Sequence, residues 1–172
     1  RVKAMSYGLV YGLSAYGLSN QLSISAGEAK GIMENYFERF GGVKRYLDEV
    51  VEQARRDGYT STVFGRRRYL PELTSDNRVA RENAERAALN APIQGTAADI
   101  IKVAMLRVDD ALHGYSSRVL LQVHDELVVE VAPGELEQVQ AIVEREMDGA
   151  IELLVPLEVS AGTGTNWEEA AH

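Results

Sequence analysis

The stretch RVLLQVHDELVVEV, residues 118–131, decides the fold of the second half of the chain. Its two ends, RVLLQV and LVVEV, are rich in aliphatic and β-branched residues, which is typical of β-strands. Only His124, Asp125 and Glu126 lie between them, so the sequence predicts a tight antiparallel hairpin. A turn breaks the alternation of side chains between sheet faces, and the two carboxylates need not point apart.

The neighbouring carboxylates of Asp125 and Glu126 are candidate metal ligands and catalytic groups. Adjacent carboxylates repel each other, and they are stable together mainly when a cation or a basic group faces them. Mg²⁺ takes oxygen ligands and usually keeps waters and substrate phosphates in the rest of its shell. A polar hairpin tip without any ligand is the alternative, because acidic residues are common in turns.

Helical patterns dominate the rest of the chain. The capping box of Ser25 and Glu28 begins one helix, and Gly58 is suited to end another. Helices are predicted over residues 1–13, 15–22, 26–40, 43–57, 78–89, 94–112 and 135–153, and further strands over residues 59–64 and 156–160. Pro92 predicts a break between the two helices that surround it. Helices followed by a small antiparallel sheet with packed helices make an α+β fold.

The composition is that of an ordinary globular protein, with 45% hydrophobic residues, 26% charged residues and no cysteine. Disulfides and thiolate metal sites are therefore excluded. No apolar run reaches the roughly 20 residues that span a bilayer, and the first residues do not resemble a signal peptide, so a cytoplasmic location is expected. The net charge of −8 is unevenly spread: residues 1–86 carry 14 basic and 11 acidic side chains, and residues 87–172 carry 4 and 15. This asymmetry is a hint that the first half contacts nucleic acid.

A second candidate site lies on the predicted first helix. Lys3, Tyr7 and Tyr11 are spaced four residues apart and share one face, and Gly8 and Gly12 follow the tyrosines. A lysine can hold a phosphate, an aromatic ring can stack on a base or sugar, and glycines allow close approach. An amphipathic helix with a snorkelling lysine and two core tyrosines is the alternative.

A third candidate site combines Arg86, Asn90 and Gln94, at the same spacing if the helix continues past Pro92. These side chains suit contacts to phosphates and base edges. In the minor groove, such contacts can check the shape of a base pair without reading its sequence. A solvated helix face is the alternative.

Taken together, these segments resemble the family A DNA polymerases of bacteria. Residues 3–12 resemble the family's fingers motif K-x-x-x-[FY]-G-x-x-Y-G, and FGRRRYLPEL, residues 64–73, resembles its basic turn. NAPIQGTAAD, residues 90–99, and QVHDELVVEV, residues 122–131, resemble the helix and the catalytic hairpin that follow. The tail at residues 162–167 resembles the family's C-terminus.

The resemblance implies template-directed addition of deoxynucleoside triphosphates to a primer 3′-hydroxyl, with two Mg²⁺ ions. Asp125 and Glu126 would be metal ligands. Lys3 would hold the triphosphate and assist the departure of pyrophosphate, Tyr7 would pack against the incoming sugar and base, and Tyr11 would sit at the template position. Contacts with primer–template DNA are implied for Arg86, Asn90, Gln94, Gln122, His124 and, along the backbone, Arg66.

One feature of the family is missing from these residues. Its other metal-binding aspartate lies in an upstream palm motif of the D-Y-S-Q-I-E type, and nothing similar occurs in this sequence. The chain thus resembles a helical fingers lobe, residues 1–75, followed by a partial palm, residues 76–172. We expect it to be inactive alone and to need the upstream part of the polymerase domain as a partner.

Three alternatives remain open. A single-subunit RNA polymerase shares the fold, but that family typically carries H-D-S at the hairpin. A DNA-binding fragment without catalysis would differ from the enzyme only in whether the missing aspartate is supplied. A helical interaction protein without a ligand would lack salt-sensitive DNA binding.

Overall fold

A computed structural model describes Gly8 and residues 12–170 of the chain. It confirms the α+β prediction, because helices predominate and the strands form two antiparallel pairs. The helices are α1 (Ala15–Leu22), α2 (Ala26–Arg39), α3 (Gly41–Asp57), α4 (Arg78–Ala111), α5 (Leu136–Asp148) and α6 (Trp167–Ala170). The strands are β1 (Tyr59–Ser61), β2 (Arg67–Tyr69), β3 (Arg118–Val123) and β4 (Glu126–Glu130), and a 3₁₀ turn covers Pro71–Thr74. Within the described part of the chain, no helix is long and apolar enough to cross a membrane.

The chain divides into two compact units, Arg1–Thr96 and Ala97–His172. This division follows internal contacts and falls inside α4, whereas the division into a fingers-like lobe and a partial palm after residue 75 stays a prediction.

Local sequence signals explain the helix ends of the first unit. The Ser14 hydroxyl accepts a hydrogen bond from the Gly17 amide at 3.1 Å and so caps α1. Ser25 and Glu28 form the predicted capping box of α2. Gly58 ends α3 at a φ of 77°, a conformation that glycine adopts without strain. The core of this unit is small and is built from Ala54, Leu70, Leu73, Ala84 and Ala88.

The second unit is built around a core that supports the β3–β4 sheet. Val108 and Leu112 of α4 pack with Val139 and Ile142 of α5. Half-buried side chains of the sheet lie against this cluster, namely Val119, Leu127 and Val129. Each fully buried valine or leucine contributes about 1.5–3 kcal/mol, so one face of the hairpin is firmly held.

One predicted helix break and one predicted helix end were wrong. Helix α4 continues through Pro92, although proline in a helix interior costs about 3 kcal/mol. The proline is buried, and we attribute its tolerance to that packing. Helix α5 ends at Asp148 rather than residue 153, where the Gly149 amide bonds to the Arg145 carbonyl and the Arg107 side chain bonds to the Gly149 carbonyl.

Two predicted strands also differ from the structure. The strand over residues 59–64 is shorter and ends at Ser61. Residues 156–160 form no strand with any described residue. Of the predicted helix over residues 1–13, the structure describes only Gly8 and residues 12–13. Gly8 is helical, but residues 12 and 13 are not, because Gly12 has a φ of 74°, so the predicted helix end at Leu13 was also wrong.

Candidate functional site

The hairpin between β3 and β4 has the tight turn that the sequence predicts. Val123 pairs with Glu126, which leaves His124 and Asp125 as a two-residue turn. His124 has a φ of 54°, and Asp125 is not among the residues with positive φ. A positive φ is uncommon for a residue with a Cβ, so His124 holds a backbone conformation that glycine adopts more readily. The Gln122 side-chain amide donates to the His124 carbonyl at 2.5 Å and braces the turn.

The carboxylates of Asp125 and Glu126 are exposed and free to accept ligands. Neither side chain has a hydrogen bond or an ion pair with another described residue. Mg²⁺ is often held by one or two carboxylates, with waters and phosphates completing its shell, so these two groups fit such an ion. The described residues hold no cluster of three or more His, Asp or Glu side chains that could bind a metal.

A carboxylate at the start of α5 fixes the base of the hairpin. Glu135 accepts hydrogen bonds from the amides of Ser116 and Ser117 at 3.0–3.1 Å and from the Ser117 hydroxyl at 2.6 Å. The Ser117 hydroxyl in turn accepts from the Ala132 amide at 2.9 Å, which ties together the two ends of the sheet. The Ser117 hydroxyl and the Ser116 amide lower the pKa of Glu135. The sequence analysis missed this support, since no local motif links residues so far apart.

Arg86, Asn90 and Gln94 lie on one face of α4, because the helix is continuous and their spacing of four residues holds throughout. Arg86 is exposed and bonds to the Asn83 side chain, and Gln94 is exposed as well. Asn90 differs, since its Oδ1 is buried and has no hydrogen-bond partner. A buried polar atom without a partner is costly, and each such atom calls for an explanation.

The chain before α1 approaches α4 closely at Gly12. A Cβ added there would lie 3.0 Å from Leu89 Cδ1 and 3.6 Å from Arg86 Cγ, and the φ of Gly12 is 74°. The positive φ favours glycine at this position. Lys3, Tyr7 and Tyr11 themselves lie outside the described residues.

Arg66 lies in the loop between β1 and β2. Its carbonyl accepts from the Thr62 amide at 2.9 Å, and its amide donates to the Thr62 hydroxyl at 3.2 Å. The loop is fixed on α4, where the Thr96 hydroxyl accepts from the Val63 amide at 3.1 Å. Of the predicted site residues, Arg66, Arg86, Asn90 and Gln94 belong to the first unit, and the four hairpin residues 122 and 124–126 to the second.

Comparisons with known proteins match this arrangement. A family model described as DNA polymerase family A matches residues 1–169. The chain is 69% identical to DNA polymerase I of Mycobacterium tuberculosis over its whole length, and 52% identical to DNA polymerase I of Streptococcus pneumoniae over 98% of it. It spans 19% of the length of either relative.

A solved structure is similar as well. It is the POL domain of Pol1 from M. smegmatis in complex with DNA primer-template and dNTP, at 66% identity and a TM-score of 0.96. The match covers 99% of this chain and 30% of that one.

Proposed function

Because the chain belongs to the family A DNA polymerases, we propose that it is part of an enzyme that extends a DNA primer along a template. The observation that carries this proposal is the β3–β4 hairpin, with two free carboxylates at its turn, in a fold that superposes on a polymerase domain bound to primer-template and dNTP. Asp125 and Glu126 would hold Mg²⁺. The metal would supply charge stabilisation for nucleotidyl transfer.

Each remaining residue has a proposed task in binding. Asn90 would contact DNA through its side-chain amide, and Arg86 and Gln94 line the same helix face. Gln122 and His124 contact DNA from the hairpin, and Arg66 neutralises phosphates. The residues outside the described part keep their roles toward the incoming nucleotide: triphosphate contact by Lys3, sugar and base contact by Tyr7, and the template position by Tyr11.

The rest of the polymerase domain is the proposed partner. Among the described residues, no third acidic side chain lies with Asp125 and Glu126 in a cluster that could bind a metal. Unit 2 also leaves apolar side chains exposed, among them Leu120, Leu121, Leu154 and Val155. Exposed apolar patches of this kind mark surfaces that other protein segments cover. The assembled enzyme would act on DNA in the cytoplasm, at the nucleoid.

The test replaces Asp125 with Asn in the complete polymerase. We expect incorporation to be abolished and primer–template binding to be kept, because the change removes a charged metal ligand but no proposed DNA contact. Asp110→Asn, at an exposed carboxylate of α4, is the control. An Asp125→Asn enzyme that keeps more than about a tenth of the parent rate has lost less than about 1.4 kcal/mol, and that result contradicts the assignment.

A further inference from the structure

The hairpin of β1 and β2 is a local basic surface in an acidic chain. Residues 58–71 contain Arg66, Arg67 and Arg68 and no acidic side chain, whereas the whole chain has a net charge of −8. All three arginines are exposed. A solvated positive patch of this kind attracts the phosphates of a nucleic acid.

One face of this hairpin presents aromatic rings beside the arginines. Tyr59 pairs with Tyr69, and Ser61 pairs with Arg67, so these four side chains share a face. The two tyrosine rings are 5.7 Å apart, and the Arg67 guanidinium lies 4.5 Å from the centre of the Tyr59 ring. Tyr69 is nevertheless 67% exposed. A ring of this size left to solvent offers a free surface for stacking.

A small cavity adjoins the same strand. It measures about 200 Å³, below the roughly 300–1,000 Å³ of pockets for drug-sized ligands. Two tyrosines and several hydrogen-bonding side chains line it: Tyr46, Tyr59, Gln53, Asp57 and Ser61.

The hairpin is also held rigidly. A Cβ on Gly95 of α4 would lie 2.7 Å from the Thr62 Cγ2, so helix and loop are in close contact. The hydrogen bond from Val63 to Thr96 fixes the same loop. Rigid elements lose little conformational entropy when they bind.

We propose that the β1–β2 hairpin binds an unpaired nucleotide of single-stranded DNA, with a base stacked on Tyr69 and a flanking phosphate held by Arg67 on the same face. The proposal rests on the proposed function and extends it to the unpaired part of the DNA. Bases in a duplex already stack on one another, so an aromatic surface can receive only an unpaired base. The positive charge acts on phosphates of either form, whereas the ring selects the single strand.

The experiment uses the whole 172-residue chain and two fluorescent probes, an oligothymidylate and a duplex of equal length. Fluorescence anisotropy gives the affinity for each at one fixed salt concentration, because phosphate contacts make affinity depend on salt. We expect Tyr69→Ala to weaken single-strand binding roughly 5- to 150-fold, the range for losing one stacked base, and to leave duplex binding unchanged. Tyr69→Phe keeps the ring and should bind as the parent does.

Arginine variants test the phosphate contacts. Arg67→Ala should weaken binding of both probes, and Arg45→Ala, at an exposed arginine of α3, should change neither. The proposal is overturned if the parent binds no single strand, if Tyr69→Ala leaves single-strand affinity unchanged or weakens both probes equally, or if Tyr69→Phe behaves like Tyr69→Ala. Duplex binding that survives any of these results leaves the proposed function standing.

Discussion

Asn90 is the residue where function and stability should oppose each other. Its buried Oδ1 lacks a partner, and such an atom costs about 1–3 kcal/mol. We expect Asn90→Leu to raise the free energy of unfolding by about 1 kcal/mol, helped by the better helix propensity of leucine. The same change should weaken duplex binding. Urea denaturation and anisotropy measure the two effects.

Gln94→Leu is the matched control, because Gln94 is exposed one turn further along the same helix. It should leave stability nearly unchanged. A destabilised Asn90→Leu chain would mean that Asn90 is a structural residue, and its proposed contact with DNA would lose its support.

His124 occupies a backbone conformation that side chains rarely adopt. At positive φ, a residue with a Cβ is strained by about 1–2 kcal/mol, and a β-branched residue suffers most. We therefore expect His124→Val to unfold more easily than His124→Gly, by about that amount, in thermal or urea denaturation. The same pair of changes at His113, which has no positive φ, should show no such penalty. Equal stability of the two His124 variants would argue against this turn geometry.

At the scale of single residues, the sequence indicated which side chains could bind a ligand, but not which of them are buried or lie beside one another. The exposed carboxylates of Asp125 and Glu126 were predicted from their place between two apolar strands. The burial of Asn90 Oδ1 was not, because burial depends on which segments pack together. The aromatic face of Tyr59 and Tyr69 was missed for the same reason: the pairing of β1 with β2 brings them together.

Acid should weaken the hydrogen bonds by which Glu135, just before α5, holds the base of the β3–β4 hairpin. Hydrogen bonds from Ser117 and Ser116 lower the pKa of Glu135, so its folded-state pKa lies below its unfolded value of about 4.3. The stabilisation is then complete above that unfolded value and is lost as the pH falls through the folded one. We expect Glu135→Gln to weaken this pH dependence, as measured by urea denaturation at neutral and acidic pH.

Glu137→Gln in the first turn of α5 provides the comparison, and it should keep the acid response of the parent. An unchanged acid response in Glu135→Gln would mean that the carboxylate does not stabilise the fold through these hydrogen bonds.

Elements with local signals were predicted well. The capping box at Ser25 and the left-handed stop at Gly58 involve neighbouring residues, and both are confirmed. The break at Pro92 was wrong because tertiary packing outweighed a local penalty. A strand over residues 156–160 was wrong because a strand needs a hydrogen-bonding partner, and the described residues provide none there.

For the molecule as a whole, we expect that the purified chain does not extend a primer in the presence of Mg²⁺. Its described residues contribute two hairpin carboxylates and no larger acidic cluster. Adding the preceding part of the polymerase domain as a separate chain should restore incorporation, and the same mixture with Asp125→Asn should stay inactive. Robust extension by the 172 residues alone would refute the view that the metal site is incomplete.

The fold class and the order of the motifs could be read from the sequence, since both follow from hydrophobic patterns and turn residues. The contacts between residues that are distant in the sequence could not be predicted from it. Glu135 supports the hairpin from beyond its second strand, and Gly12 touches α4 across more than 70 intervening positions. Such contacts arise only when the chain has collapsed.

The two-residue turn at His124 and Asp125 has a consequence for how the gene can vary. Because Val123 must face Glu126, one inserted or deleted codon would shift the strand register and move every later side chain of β4 to the opposite face. Apolar residues such as Leu127 and Val129 would leave the core, and the acidic pair would be displaced together with them. We therefore expect evolutionary changes in this hairpin to be substitutions, whereas a longer loop elsewhere could also gain or lose residues.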